Sequence, residues 1–454
     1  MTSARSALSR CVCAFVVGCF WIVAHDAALQ FVGPATASPL YGQAGLRSLV
    51  LRHAERLQQM ETHARLLMEQ GDWEDAEMIL KRALATQVDE SGETHQNALR
   101  LTRRLVKTLA KLGKMSEAEG LEQDVLSKQI ADLGQQHPDT LLTKANIAEL
   151  LAEQGKLRNA EKLLREVLEL QRGNVGDSHP DVLASKKSLA SVLFRLEDFK
   201  SAKRLYSEVL EVQRRSLSET HPDTIELKAT FAVVLRSLGE FERAEAFQRE
   251  VLTWRRFIFG EKHPFTMKSK SSIATLQVDR GQYENAEALL REVLTFENKL
   301  VGEHHPDTMV SKDNLAVVLI NQGRLDDAES LLDDVLQWRL KVQGELHPDT
   351  LSSRSHFADL RLRQGCGSEA EEIHREVMAL RCDGLGEKHS STLASKLGVA
   401  AALRGQGKLE DGEALLRESL ATCYSTLGER HPTTLASIRE LSSLLKEMGK
   451  DAIK

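Results

Sequence analysis

Ten histidines stand 42 residues apart, from His53 through His95, His137, His179, His221, His263, His305, His347 and His389 to His431. A fixed period of this length marks a solenoid or array, in which each repeat buries its apolar face against its neighbours. No insertion breaks the register between His53 and His431, so the 454 residues do not divide by length into ordinary globular domains.

Each repeat reads as two helices. The first opens with His as N-cap and Pro at the first helical position, where the missing N–H costs nothing, as at Pro138, Pro180, Pro222, Pro264, Pro306, Pro348 and Pro432. Gln96 and Ser390 replace that proline. Apolar residues at spacings of three and four, such as Leu141, Ile147, Ala148 and Leu151, give the helix one buried face. It stops at a glycine that recurs in phase from Gly71 to Gly449, with Glu197 as the exception. A side chain forced into a left-handed stop is strained, so the sequence predicts that Glu197→Gly stabilises by about 0.5 to 1 kcal/mol. The second helix carries an aromatic or Leu, an Ala-Glu pair and Val-Leu, as in Tyr283, Ala286-Glu287 and Val293-Leu294. Its alanine recurs at Ala160, Ala202, Ala244, Ala286, Ala328 and Ala370, where only a small side chain lets two helices cross closely. A second glycine closes the repeat, as at Gly176, Gly260, Gly302 and Gly344.

The unit His-Pro-Asp-Thr-Leu, then Asn146-Ile147-Ala148 or Asn314-Leu315-Ala316, then Gly-x-(Tyr/Phe/Leu)-x-x-Ala-Glu, resembles the kinesin light chain type of tetratricopeptide repeat. The resemblance implies an all-α fold, a right-handed superhelical solenoid of antiparallel helix pairs whose concave wall, lined by the first helices, takes up peptide segments of partners. The plan is nine helix pairs over 53–430, then a capping helix over 431–454 that water can face. Kinesin light chains also carry a heptad segment ahead of their repeats for the heavy chain, and the first 52 residues lack that period.

On a helical wheel the concave side includes Ala145, Glu149 and Glu153 in one repeat, Lys187, Ser191 and Arg195 in the next, then Ala229, Val233 and Ser237. This candidate groove is mixed rather than basic. One departure from the family stands out: Lys144, Lys186, Lys228, Lys270, Lys312, Arg354 and Lys396 occupy, in phase, a position near the middle of the apolar stripe where Leu is usual. A buried ammonium without a partner is costly. In-phase acids Glu166, Glu208, Glu250, Glu292, Asp334 and Glu376 on the second helices predict a ladder of ion pairs, each with the following repeat's first helix. The alternative is a basic stripe exposed to an acidic partner.

Catalysis is not what this pattern encodes. His, Asp, Ser and Thr recur at equivalent helix starts with capping work to do, whereas a catalytic site needs a unique constellation. There is no phosphate loop, His-Glu-x-x-His or dinucleotide fingerprint, and no cofactor or metal is expected. The pair His304-His305 includes a ladder member, and Trp73, Trp254 and Trp338 fall on second helices as core or rim. With 60 basic against 66 acidic residues, the net charge of −6 offers no field for nucleic acid, so the expected partners are other proteins. The cysteines Cys11, Cys13, Cys19, Cys366, Cys382 and Cys423 set no disulfide or zinc framework.

The first residues differ from the rest. Cys11 to Ala24 is apolar and follows Arg5 and Arg10. It is shorter than the about 20 residues a spanning helix needs, as a signal-peptide core is. The readings are a secretory signal ending within residues 1–37, before a linker over 38–52, or an uncleaved anchor as the only link to a membrane. A plastid presequence with Phe31-Val32-Gly33-Pro34, or a cytoplasmic protein with a chance apolar start, completes the alternatives. A lumenal protein with an undetected enzymatic or lipid-related activity, and a kinesin-associated cargo adaptor proper, stay open beside the peptide-binding scaffold.

Overall fold

The computed structural model describes residues 56–68, 71–91, 96–429 and 431–450, so the apolar leader, its linker, His53 and His95 lie outside the described residues. No strand occurs among them. Cα packing divides the chain into residues 1–108 and 109–454. The first region holds a helix over 56–68 (α1), α2 (Trp73–Ser91) and the start of α3 (Gln96–Lys111). Ala64, Ala76, Leu80, Ala83 and Ala98 are completely buried in it, and Glu61 pairs with Arg100 at 2.9 Å and with Arg104 at 3.0 Å.

The second region alternates long and short helices: α4 (Met115–Leu133), α5 (Pro138–Glu153), α6 (Leu157–Val175), α7 (Pro180–Arg195), α8 (Phe199–Ser216), α9 (Pro222–Ser237), α10 (Phe241–Phe259) and α11 (Pro264–Asp279). It continues through α12 (Tyr283–Leu300), α13 (Pro306–Gln322), α14 (Leu325–Val342), α15 (Pro348–Arg363), α16 (Gly367–Leu385), α17 (Ser390–Gly405), α18 (Leu409–Thr426) and α19 (Pro432–Glu447). Each helix packs on the next, and the first helices α5 and α7, and those from α11 to α19 in succession, also touch, which makes the region a solenoid of antiparallel pairs.

From α5 to α19, the start of each first helix is built as the sequence predicts. His137 is extended, and its Nδ1 accepts a hydrogen bond from Asp139 N at 3.2 Å, which satisfies one of the free N–H groups of α5. The same 3.2 Å bond recurs from His179 to His431. The buried Thr of the motif seals the preceding turn: Thr308 Oγ1 donates to Gly302 O at 2.9 Å and Thr140 Oγ1 to Gly134 O at 2.9 Å. The in-phase alanines, Ala160 to Ala370, are completely buried where the two helices of a pair cross. One continuous core runs from Leu141 on α5 to Leu276 on α11.

The stop of α7 keeps the repeat's geometry although it has no glycine. Glu197 sits at φ 63, its N–H bonds Phe194 O at 3.0 Å and Asp198 N bonds Leu193 O at 2.9 Å, the same double closure that Gly155 makes after α5. The Glu197 side chain is not idle, however. Its carboxylate accepts a backbone hydrogen bond from a distant helix, so substituting Gly both relieves strain and removes a bond. A second non-glycine with positive φ, Ser218 at φ 102, stands where Gly176 and Gly260 close their repeats. The sequence reading had not singled it out. Ser218 therefore carries the clean test of strain relief. Ser218→Gly raises stability by about 0.5 to 1 kcal/mol in chemical denaturation, with an unchanged m-value.

Candidate functional site

Residues of the first helices α7, α9 and α11, with others from α8 and α10, line a hollow of about 240 Å³. Phe194, Tyr206, Val233 and Val234 supply its apolar lining, and Ser191, Thr230 and Ser272 place hydroxyls along it. Gln248 is fixed by donating from Nε2 to Ala229 O at 3.1 Å. Burial pushes the Tyr206 hydroxyl up to about 12, so it stays protonated beside Ser191. Of the six groove residues the wheel selects, Ser191, Ala229 and Val233 line this hollow. Lys187 and Ser237 are half-buried outside it, and Arg195 is exposed with Nη1 donating to Ala152 O at 2.6 Å. One repeat earlier, Ala145 is buried, and the exposed Glu149 accepts from Ser188 Oγ at 2.7 Å.

Beneath this wall runs a row of buried polar side chains that the sequence reading missed. Arg255 donates from Nη1 to Phe265 O at 3.2 Å and to Ser269 Oγ at 2.9 Å, and from Nη2 to Glu226 Oε2 at 2.9 Å. Arg339 binds Asp349 O, Ser353 and Asp313, and Arg381 binds Ser391 O and Ser395, each reaching the next first helix in the same way. Gln129, Gln171 and Gln213 hold the equivalent buried place earlier in the chain. The signal was present: a polar residue every 42 positions within an apolar stripe, the argument already applied to the lysines.

Around Arg339 the wall becomes charged. Asp313 Oδ1 lies 3.0 Å from His356 Nδ1, and Asp313 Oδ2 lies 2.9 Å from Arg339. Burial opposes charge on both Asp313 and His356, yet their mutual attraction outweighs it: the carboxyl is held below its usual range and the imidazole above its own. Trp73, Trp254 and Trp338 are half-buried. Phe257 and Phe265 are exposed, with the Arg255 guanidinium 5.7 Å from the Phe265 ring centre.

The basic row meets carboxylates, but not those of the neighbour assigned from sequence. Lys144 pairs with Glu166 at 2.7 Å, Lys186 with Glu208 at 3.0 Å, Lys228 with Glu250 at 2.7 Å and Lys270 with Glu292 at 2.5 Å. Lys312 with Asp334 and Arg354 with Glu376 follow, and Lys396 meets Glu418 at 2.8 Å. Each partner lies 22 residues later, on the second helix of the same repeat, because the hairpin folds those two positions together. The inter-repeat member is a different acid, in the loop nine residues before the base. Asp177 meets Lys186 at 3.1 Å, Glu219 meets Lys228 at 2.5 Å, Glu261 meets Lys270 at 2.5 Å, Glu303 meets Lys312 at 3.2 Å and Glu345 meets Arg354 at 3.0 Å. Hydrogen bonds from Arg256 and then Lys270 hold the Glu261 carboxyl down at about 2. Lys186, Lys228 and Lys270 have side chains only 2% exposed, so the alternative of an exposed basic stripe does not describe them.

Among the described residues Cys366, Cys382 and Cys423 are free thiols, and no three His, Cys, Asp or Glu side chains converge as metal ligands. No helix there is long and apolar enough to cross a membrane.

Comparison with known proteins bears on the repeat. The family model described as Tetratricopeptide repeat matches residues 56–131, 139–215, 181–253, 223–299, 307–383 and 392–433. Comparison with curated proteins found no match. Among solved structures, the apo form of the quorum sensor NprR from B. thuringiensis aligns at 14% identity and TM-score 0.53, over 81% of this chain and 99% of its own. Aspartyl phosphate phosphatase F from Bacillus subtilis aligns at 11% identity and TM-score 0.51, over 87% of this chain and 98% of its own. These two share the fold. The nearly identical TPR-like repeats assigned to a kinesin light chain of Podosopora anserina align at 24% identity over 44% of this chain and 95% of theirs, with a TM-score of 0.40.

Two outcomes follow from the charges. Glu219 and Glu250 are half exposed while Lys228 is buried, so water can solvate the acids alone but not the ammonium alone. Glu219→Gln combined with Glu250→Gln costs about 2 to 3 kcal/mol, whereas Lys228→Met changes stability by less than about 1 kcal/mol in urea unfolding. Equal losses would place the ammonium in water. For His356 the folded value lies above the unfolded one, near 6.5, so its contribution is complete below that pH and is lost as pH rises through the folded value. A pH series of unfolding free energies then shows an alkaline decline that His356→Gln flattens.

Proposed function

Because the chain belongs to the tetratricopeptide repeat family, we propose that it is a non-catalytic protein-interaction scaffold that takes up peptide segments of partner proteins on the wall of its first helices. The observation that carries this reading is the hollow lined by residues of α7 to α11. It combines an apolar floor with hydroxyl and amide groups at intervals along successive repeats. An extended peptide offers the complementary surface: side chains for the apolar lining and a backbone donor and acceptor at every residue. Two of the hydroxyls are engaged by their own helices: Thr230 Oγ1 donates to Glu226 O at 3.1 Å and Ser272 Oγ to Lys268 O at 3.0 Å. The Glu226–Arg255 pair and Lys268 give the edge both signs of charge, which suits a mixed-charge segment.

The address is a separate proposal: the apolar run from Cys11 to Ala24 routes the chain into the secretory pathway. Sequencing the N-terminus of the mature protein tests it, since an intact start at Met1 would leave only the anchor or a cytoplasmic location.

The groove reading is tested by placing a charge in the hollow without touching the core. Val233 is 41% exposed, so Val233→Glu keeps the fold. Partners captured by the full-length wild-type protein and identified by cross-linking bind this variant at least about tenfold more weakly, a loss of about 1.4 kcal/mol. Unchanged affinity would move the binding surface away from α7, α9 and α11.

A further inference from the structure

Two departures from the repeat, 193 residues apart in sequence, meet in space. Glu197 takes the place of the stop glycine after α7, and Ser390 takes the place of the first-turn proline of α17. Both Glu197 carboxylate oxygens lie 3.0 Å from Ser390 N and accept its hydrogen bond. Either change alone would leave this bond unmade: proline has no N–H to give, and glycine has no carboxylate to receive it. His389 Nε2 lies 3.6 Å from Glu197 Oε1 on the same side. A carboxylate at a helix start also meets the positive end of the helix dipole.

The contact is wider than one bond. Phe199, two residues after Glu197, stacks on His431, the N-cap of α19, with ring centres 5.4 Å apart and planes 20° from parallel. His431 is the one buried residue among the described N-cap histidines; the others are half-buried. Lys200 Nζ comes within 4.0 Å of where a side chain at Gly428 would begin.

The topology says what this contact closes. Glu197 lies on the edge where first helices end, and His389 and His431 lie on the opposite edge, where first helices begin. Pairs stacked in series can bring opposite edges together only when the stack has curved through a full turn. The concave wall between α7 and α17 is then the inside of a closed coil.

We propose that Glu197 is a latch that caps α17 from a turn more than four repeats earlier, locking one superhelical turn of residues 109–454 against the next and shutting the lateral entrance to the groove. A partner segment must enter along the coil axis unless the latch opens. That consequence for partners rests on the peptide-groove reading; the latch does not.

The experiment uses the full-length protein alone and two substitutions that each restore the repeat's own residue. Glu197→Gly relieves a positive φ, and Ser390→Pro installs the residue found at seven other helix starts, so local effects favour both. With a latch, either variant enlarges the radius of gyration in small-angle scattering. Amide exchange in the first turn of α17 rises at least about tenfold, with helical circular dichroism retained. The double variant goes no further than the single ones, since both remove one interaction. Glu197→Met, which keeps a side chain of similar length but has no oxygen to accept from Ser390 N, reads the same loss if either variant fails to fold. Unchanged scattering and exchange in all the folded variants would overturn the latch. Since these measurements need no partner, they fail independently of the Val233→Glu test.

Discussion

An ammonium in the middle of an apolar stripe permits few arrangements. Lys228 is buried at the junction of three segments, and its charge is tolerable only because Glu250 reaches it from the second helix of its own repeat and Glu219 from the loop that ends the previous one. One group thus ties a hairpin to itself and to its neighbour. Leucine in this position would pack against any apolar neighbour, whereas lysine accepts only a neighbour that brings a carboxylate to one point. The row from Lys186 to Arg354 repeats the requirement, which fixes the register of stacking more than it adds stability.

Repeat proteins are usually described as one-dimensional, each repeat touching only its neighbours. The contact of Glu197 and Phe199 with Ser390 and His431 breaks that description, because it joins residues 193 and 232 positions apart. Such a contact closes a long loop and is entropically expensive to form from the unfolded chain, but the rigid repeats between its ends remove most of that freedom beforehand. It therefore costs little once the solenoid exists, and it discriminates among superhelical pitches rather than among folds.

Local features were the most legible in the sequence. The His-Pro helix starts, the glycine stops and the fully buried alanines follow from rules that act within a few residues, and they repeat often enough to average out exceptions. The partners of the lysines were half legible: a carboxylate was required, but the choice between 20 residues back and 22 residues ahead depends on hairpin geometry that no wheel contains. The buried row of Gln129, Gln171, Gln213, Arg255, Arg339 and Arg381 carried the same periodic signal and was hidden by its change of residue type. Three of the six candidate groove residues line the hollow and three do not, since a wheel fixes the face of a helix but not how far neighbouring side chains cover it. The meeting of Glu197 and Ser390 could not be read at all. Each appeared as an isolated defect, because superhelical pitch accumulates small rotations over several repeats.

The change of type along the buried row gives the wall a direction. In the earlier repeats glutamine fills the place, and in Gln171 and Gln213 the amide oxygen has no hydrogen-bond partner. At Arg255, Arg339 and Arg381 a guanidinium does the same work with several partners and adds a fixed positive charge beside Glu226 and Asp313, while Glu297 holds the place between the first two. Arg255 is also the first of these residues to border the hollow, where Lys268 adds a second positive charge and Glu226 compensates one of the two. A peptide lying along the wall therefore meets nearly neutral hydrogen-bonding groups at one end and paired charges at the other. Opposed ends of this kind favour one chain direction over its reverse, since a reversed segment would bring its charges to the amides and its neutral residues to the ion pairs.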